Sequence, residues 1–209
     1  MGREDLVVAV RMHLEHFPDG YYARLGERFL VAHYRGYLDS PHAVAHVVVR
    51  GEQVQAYLVG TVDDVAHRGH AARSRRLARA AVGITALGAR PHLWWDFFGV
   101  RSHWYARRAL SGLRRPTQAG PTDRPFGELA YVITRPAVRN QGFGAHLVAT
   151  YLTAVRAAGG SNALLVTLVD NDVARRFYHK RGWVPDGMRR TRDGVALAAY
   201  RYDLSGDQP

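Results

Sequence analysis

The chain has 209 residues, 47% of them hydrophobic, and a formal charge of +11 from 29 Lys plus Arg against 18 Asp plus Glu. That length suits one globular domain with a full core, and the apolar content excludes a disordered chain. Cysteine is absent, which excludes disulfides, thiolate metal sites and a cysteine nucleophile.

Lys180 is the only lysine, so the other 28 basic residues are arginine, a bias that GC-rich coding produces. The charge is also uneven: from Thr61 to Pro116, eleven arginines and three acids (Asp63, Asp64, Asp96) carry +8 of the +11. Glu4 and Asp5 interrupt the start, so no signal peptide is expected, and Met1-Gly2 lacks the Ser or Thr of a myristoylation signal. The most apolar later stretch, Ala80 to Val100, contains Arg90, His92 and Asp96 and is not expected to span a bilayer. The expectation is a soluble cytoplasmic protein.

Asp5 is read as an N-cap, with Leu6, Val7, Val10, Leu14 and Phe17 following at helical spacing until Phe17-Pro18-Asp19-Gly20 breaks the helix. A second helix carries Leu25, Phe29, Leu30, His33, Tyr34 and Tyr37 on one face and stops near Asp39-Ser40-Pro41. Ala43 to Val49 and Val54 to Val62 read as a β-hairpin turning at Arg50-Gly51-Glu52-Gln53. Two helices around 64–88 and 93–114 follow, then a loop from Arg115 to Pro125.

The carboxyl-terminal half reads as strand Glu128–Thr134, helix Gly142–Ala158, strand Ala163–Val169, helix Asp172–Lys180, and a closing strand pair, Trp183–Arg189 and Val195–Tyr202. Ala163–Val169 is nearly all apolar, as expected of a strand buried on both faces. Between the first strand and helix of this half lies Pro136-Ala137-Val138-Arg139-Asn140-Gln141-Gly142-Phe143-Gly144. A glycine-rich turn opening a helix leaves backbone N–H groups unpaired, and their dipoles favour an anion such as a phosphate. It is neither a Walker loop nor a dinucleotide fingerprint, and alone it is equally well a plain helix start.

The larger pattern is more specific. Pro136-x-x-Arg139-x-x-Gly142-x-Gly144, then a helix, a buried strand and Asn171-x-x-Ala174-x-x-Phe177-Tyr178-x-x-x-Gly182-Trp183, resembles the GNAT superfamily of acyl-CoA N-acyltransferases. The resemblance covers Glu128 to Tyr202, while the amino-terminal half agrees only in outline. It implies an α/β fold: a mixed central sheet, splayed between the family's strands four and five, flanked by helices. Here those strands are Glu128–Thr134 and Ala163–Val169. An arginine-rich helical insertion would lie between strands three and four, and residues 1–209 would form a single domain with 62–125 as its basic, aromatic-rich insertion and loop. The family's first strand should precede the opening helix, so with only Met1 to Glu4 before Asp5 it is expected to be missing or truncated.

The resemblance also implies acetyl-CoA as acyl donor. Its binding residues would be Ile133, Thr134, Arg139, Asn140, Gln141, Gly142, Phe143, Gly144, Ala145, Asn171 and Ala174. A backbone N–H near Ile133 would polarise the thioester carbonyl, and backbone groups rather than side-chain charges would do most of the phosphate cradling. Tyr178 would be the general acid, since a phenol is protonated at neutral pH. Glu128, eleven residues before Arg139, resembles the strand glutamate that serves as base in the histone-acetyltransferase branch. Read from the residues alone, Tyr178 has the alternative of a core tyrosine, Asn171 of a helix cap, Glu128 of a surface carboxylate, and His13 with His16 reads as a helix surface or core pair. No metal is implied.

The implied reaction is direct acetyl transfer to a small-molecule primary amine by a monomer or homodimer, with no nucleic-acid or membrane partner. The acceptor would enter beside Phe17 to Tyr22 and the Arg189–Val195 turn. The alternatives are a peptide or protein amine, or a basic nucleic-acid- or membrane-binding protein with secondary acyl-CoA binding. The aromatics Trp94, Trp95, Phe97, Phe98, Trp104 and Tyr105 would either groove an acceptor or pack the insertion.

Overall fold

The computed structural model describes residues 1–71, 125–191 and 194–206. Most of the arginine-rich segment lies outside them, including the expected second helix, the loop over 115–124 and the six aromatics. Of the expected 64–88 helix, residues 64–71 are described and are helical, capped by Asp63, whose Oδ1 accepts the Ala66 N–H at 3.0 Å. Among the described residues, no helix is long and apolar enough to cross a membrane.

The chain opens with α1 (Leu6–His16), a short α2 (Tyr21–Arg24) and α3 (Glu27–Leu38). Asp5 stands at the N-cap position of α1 but its carboxylate does not cap the helix; it turns back to accept the Gly2 N–H at 2.7 Å. The single helix expected after Gly20 is divided, because Gly26 takes a φ of +91° between α2 and α3. Leu25 falls at that break rather than on the α3 face.

Among the described residues six strands follow: β1 (Ala43–Arg50), β2 (Gln53–Thr61), β3 (Phe126–Thr134), β4 (Asn162–Leu168), β5 (Val184–Arg190) and β6 (Ala196–Asp203), in the sheet order β1-β2-β3-β4-β6-β5. Helix α4 (Phe143–Ala157) joins β3 to β4, and α5 (Asp172–His179) lies between β4 and β5. Among the described strands only β3 and β4 pair in parallel, which makes the sheet mixed. Their pairing spans Phe126↔Asn162, Gly127↔Ala163 and Glu128↔Leu164, and beyond it the strands part. This is the expected splay. No strand precedes α1 among the described residues; instead the Met1 ammonium donates to Ala45 O on β1 at 3.2 Å.

The sheet has a core on each face. On one, α4 lays Leu147, Val148, Tyr151 and Val155 against Ala56, Leu58, Leu129 and Leu165. On the other, α1 and α3 lay Leu6, Val10, Met12, Leu30 and Tyr34 against Tyr57, Val59 and Ile133. Each fully buried aliphatic side chain stabilises by roughly 1.5–3 kcal/mol. His13 joins this second core: its Nδ1 lies 2.8 Å from Tyr34 Oη, which lies 2.8 Å from Tyr57 Oη. Burial lowers the His13 pKa to about 4, so the ring is neutral.

A bulge in β3 decides which residues share a face. Gly127 and Leu129 point toward α4, while the pairing skips from Gly60↔Leu129 to Val59↔Tyr131. The extra residue, Ala130, puts Tyr131 and Ile133 on the α1/α3 face, the face that alternation gives Glu128. Complete burial of β4 holds for Ala163, Leu164 and Leu165 only. Val166 and Leu168 are exposed, because β3 has diverged from this half of the strand.

Candidate active site

The splay opens a cleft of about 780 Å³ between the end of β3, the start of α4 and the length of α5. The β3 end is stapled to β2 by the Arg135 N–H on Gln55 O (2.9 Å) and Arg135 Nε on Val54 O (2.7 Å). A single 3₁₀ turn, Pro136–Val138, then reverses the chain into Arg139. Asn140 and Gly142 both take left-handed backbone conformations, at φ +63° and +86°. The first helical bond of α4 is His146 N–H to Gly142 O at 2.9 Å, and no side chain caps this end. The N–H groups of Phe143, Gly144 and Ala145 therefore lack helical partners, and all three residues line the cleft. This is an anion cradle at a helix N-terminus.

The far wall is α5. Asn171 caps it, its Oδ1 accepting the Ala174 N–H at 3.0 Å, and both residues line the cleft, so the cap role and a place at the site coexist. Tyr178 lines it too, its ring held at 5.1 Å from Phe177, 5.7 Å from Trp183 and 6.4 Å from Tyr200. Burial pushes the Tyr178 phenol above its ordinary range, with Arg181 pulling the other way. It is a protonated donor throughout the neutral range.

Of the expected coenzyme residues, Thr134, Arg139, Asn140, Gly142, Phe143, Gly144, Ala145, Asn171 and Ala174 line the cleft; Ile133 and Gln141 do not. Ile133 is buried in the opposite core, and its backbone is turned away as well. Because the Arg135 N–H bonds Gln55, alternation directs the Ile133 N–H, paired with Tyr57, toward β2. The N–H groups directed into the gap are those of Val132 and Thr134, the two neighbours of Ile133. Gln141 is exposed on the outside of the turn.

Sequence reasoning missed several lining residues. Arg176 on α5, with Lys180 and Arg181 just past its end, also lines the cleft, so the backbone cradle faces a wall of cations; the 176/180 spacing was the available signal. Arg181 lies 3.7 Å over the Phe177 ring and donates to Phe177 O at 3.0 Å. His16 and Phe17, from the end of α1, close the mouth. His16 Nε2 lies 2.8 Å from Arg139 Nη2, and burial followed by the Arg139 charge lowers the His16 pKa, leaving a neutral acceptor. The histidine pair thus divides: His13 is core, and His16 belongs to the cleft. No local pattern marks that contact, which joins residues 123 apart. Among the described residues, no three His, Asp or Glu side chains are grouped to hold a metal ion.

Glu128 lies outside the cleft lining, at the closed end of the splay. Its N–H donates to Thr61 Oγ1 at 2.9 Å, and its carboxyl hydrogen-bonds that of Asp64. Asp64 is buried and ion-paired with Arg68. Burial, then the Glu128 charge, raises the Asp64 pKa to about 8, against the opposing pull of Arg68. On the expected acceptor side, Phe17 reaches the cleft and Tyr22 stacks on His33 at 4.6 Å. Of the Arg189–Val195 turn, the described part is closed by Thr191 N–H to Val195 O at 2.9 Å.

A family model described as the acetyltransferase (GNAT) family matches residues 10–183. No curated protein matches the sequence. Among solved structures, Ard1 from Thermoplasma volcanium superposes with a TM-score of 0.58 at 14% identity, covering 98% of this chain and 94% of that one. Aminoglycoside 6'-acetyltransferase type Ii gives 0.57 at 13% identity, covering 100% and 97%. A GNAT-family acetyltransferase from Streptococcus pneumoniae gives 0.55 at 11% identity, covering 98% and 96%. At these identities the likeness is one of fold.

Proposed function

The chain belongs to the GNAT family of acyl-CoA-dependent N-acetyltransferases, which use acetyl-CoA, and we propose that it moves the acetyl group directly to a primary amine of a small molecule in a ternary complex. The observation that carries this reading is the opposition, across one gap, of an uncapped helix N-terminus and a protonated phenol.

The residues fit the donor. The N–H groups of 143–145, with the turn before them, would hold its pyrophosphate, and Arg139 with the α5 cations would meet its remaining negative charge. The N–H groups of Val132 and Thr134 would receive the pantetheine and polarise the thioester carbonyl, as strand N–H groups left unpaired by the splay can. Acetyl-CoA supplies an activated acyl carbon whose C–S bond breaks as the C–N bond forms. Tyr178 then gives its proton to the departing sulfur, and burial of the ring keeps that proton in place until needed. Glu128, through water, would accept the proton that the ammonium must lose before attack. With no cysteine to carry an acyl group, direct transfer is the simplest course.

This reading treats the chain as one catalytic domain, with 62–125 as an insertion. It is tested by release of free CoA from acetyl-CoA over a panel of amino sugars, aminoglycosides, polyamines and peptide amino termini. Turnover confined to small amines is the expected result. Turnover confined to peptides would transfer the acceptor to the protein-amine class.

A further inference from the structure

His16 is the last residue of α1 and the point at which that helix meets the coenzyme cleft. The Nε2 atom of its half-buried ring lies 2.8 Å from Arg139 Nη2. The ring is also hydrogen-bonded to the backbone of Met12, one turn back, and of Thr134, at the end of β3. Phe17 stands edge-on to it at 6.3 Å. Burial and the Arg139 charge keep the ring neutral, against the backbone bonds and the Glu15 carboxylate, which pull the other way. A guanidinium only donates, so Nε2 accepts the Arg139 bond and the ring proton is on Nδ1. Arg139 itself is exposed, and among the described residues no carboxylate pairs with it. One of its N–H groups goes to His16, and the rest of its donor fork is open to an anion.

An exposed arginine loses rotamer freedom when an anion fixes it, and a side chain already held loses less. We propose that His16 is a positioning residue for the coenzyme: by accepting one Arg139 N–H, it holds the guanidinium at the cleft, so that the coenzyme's phosphates meet a cation already in place. The inference rests on reading Arg139 as a partner of the coenzyme's negative charge. The turn at 136–144 cannot supply this hold, because it fixes the Arg139 backbone and not its side chain. The tie comes instead from α1, whose own place is set by Leu6, Val10 and Met12 in the core of that face. Across the cleft Arg181 is pinned by other means, 3.7 Å over the Phe177 ring and 3.0 Å from Phe177 O. Each wall thus presents an arginine whose direction is settled before a ligand arrives.

A double-mutant cycle on acetyl-CoA binding, read by calorimetry without any acceptor, tests this. His16→Ala should weaken the Kd by about threefold to tenfold, and Arg139→Ala by at least as much. Because His16 acts through Arg139, the double variant should bind no more weakly than Arg139→Ala alone. His16→Gln should recover most of the loss, since its Oε1 stands as many bonds from Cβ as Nε2 and accepts a hydrogen bond. A merely structural role would move neither of the last two readings. If His16→Ala does not fold, His16→Phe, which fills the space of the ring without an acceptor, takes its place in the cycle. An unchanged Kd in the Ala or Phe variant, additive losses in the double variant, or a Gln variant no better than Ala would overturn the proposal. Absence of acetyl-CoA binding by the wild-type protein would instead overturn the coenzyme reading, and this inference with it, so the two failures are distinguishable.

Discussion

The two sides of β3 have opposite fates. Toward β2 the strand is laddered from Glu128 to Thr134, interrupted by one bulge, and the ladder continues to Arg135. Toward β4 it pairs over three residues and then diverges. Leaving a strand's N–H groups without partners is costly unless something else bonds them. A fold that leaves one side of a central strand open, and faces it with an uncapped helix N-terminus, stores donors for a ligand. The paired side supplies the rigidity that keeps those donors in place.

The sharpest way to probe the open side is Tyr178→Phe, which keeps the ring packing and removes only the hydroxyl group. Turnover should fall by roughly one to three orders of magnitude while the Kd for acetyl-CoA changes by less than about twofold, as steady-state kinetics and calorimetry would show. Unchanged turnover would take Tyr178 out of the chemistry. Next comes Glu128→Gln, at the junction of the two sides, with an expected loss of up to about 100-fold that is partly recovered at high pH, where the amine deprotonates unaided. A flat pH response would point to a base elsewhere.

The paired side breaks through Gly127→Ala. A Cβ there would lie 2.5 Å from Tyr151 Oη, 2.7 Å from Val155 Cγ2 and 2.8 Å from Thr61 O. Chemical denaturation should show a loss of about 1–3 kcal/mol in stability, the usual cost of overpacking. The smallest effect belongs to Gly142→Ala. Nothing lies within 4 Å of a Cβ there, so the cost is purely that of an L residue at φ +86°, about 1–2 kcal/mol, divided between stability and weaker acetyl-CoA binding. A larger loss in binding than in stability would show that the turn geometry itself serves the anion.

What the sequence made legible follows the same division. The turn at 136–144 and the α5 signature announce themselves through short-range spacing, because glycines, caps and helix periods act within a few residues, and nine of the eleven expected coenzyme residues line the cleft. Ile133 falls outside the cleft because the direction of a backbone N–H depends on strand pairing, here read from the Arg135 N–H bond to Gln55 O. His16 on Arg139 and Asp64 on Glu128 were invisible for the same reason: the sheet and the α1 packing join residues far apart in the chain. The divided helix at Gly26 was masked by an apolar stripe that runs across the break.

Whether the open side of β3 takes up acetyl-CoA is decided by calorimetric titration of the protein with acetyl-CoA. Saturable binding of one acetyl-CoA per chain, competed by free CoA, is expected; no binding of either would rule out an acetyl-CoA site there.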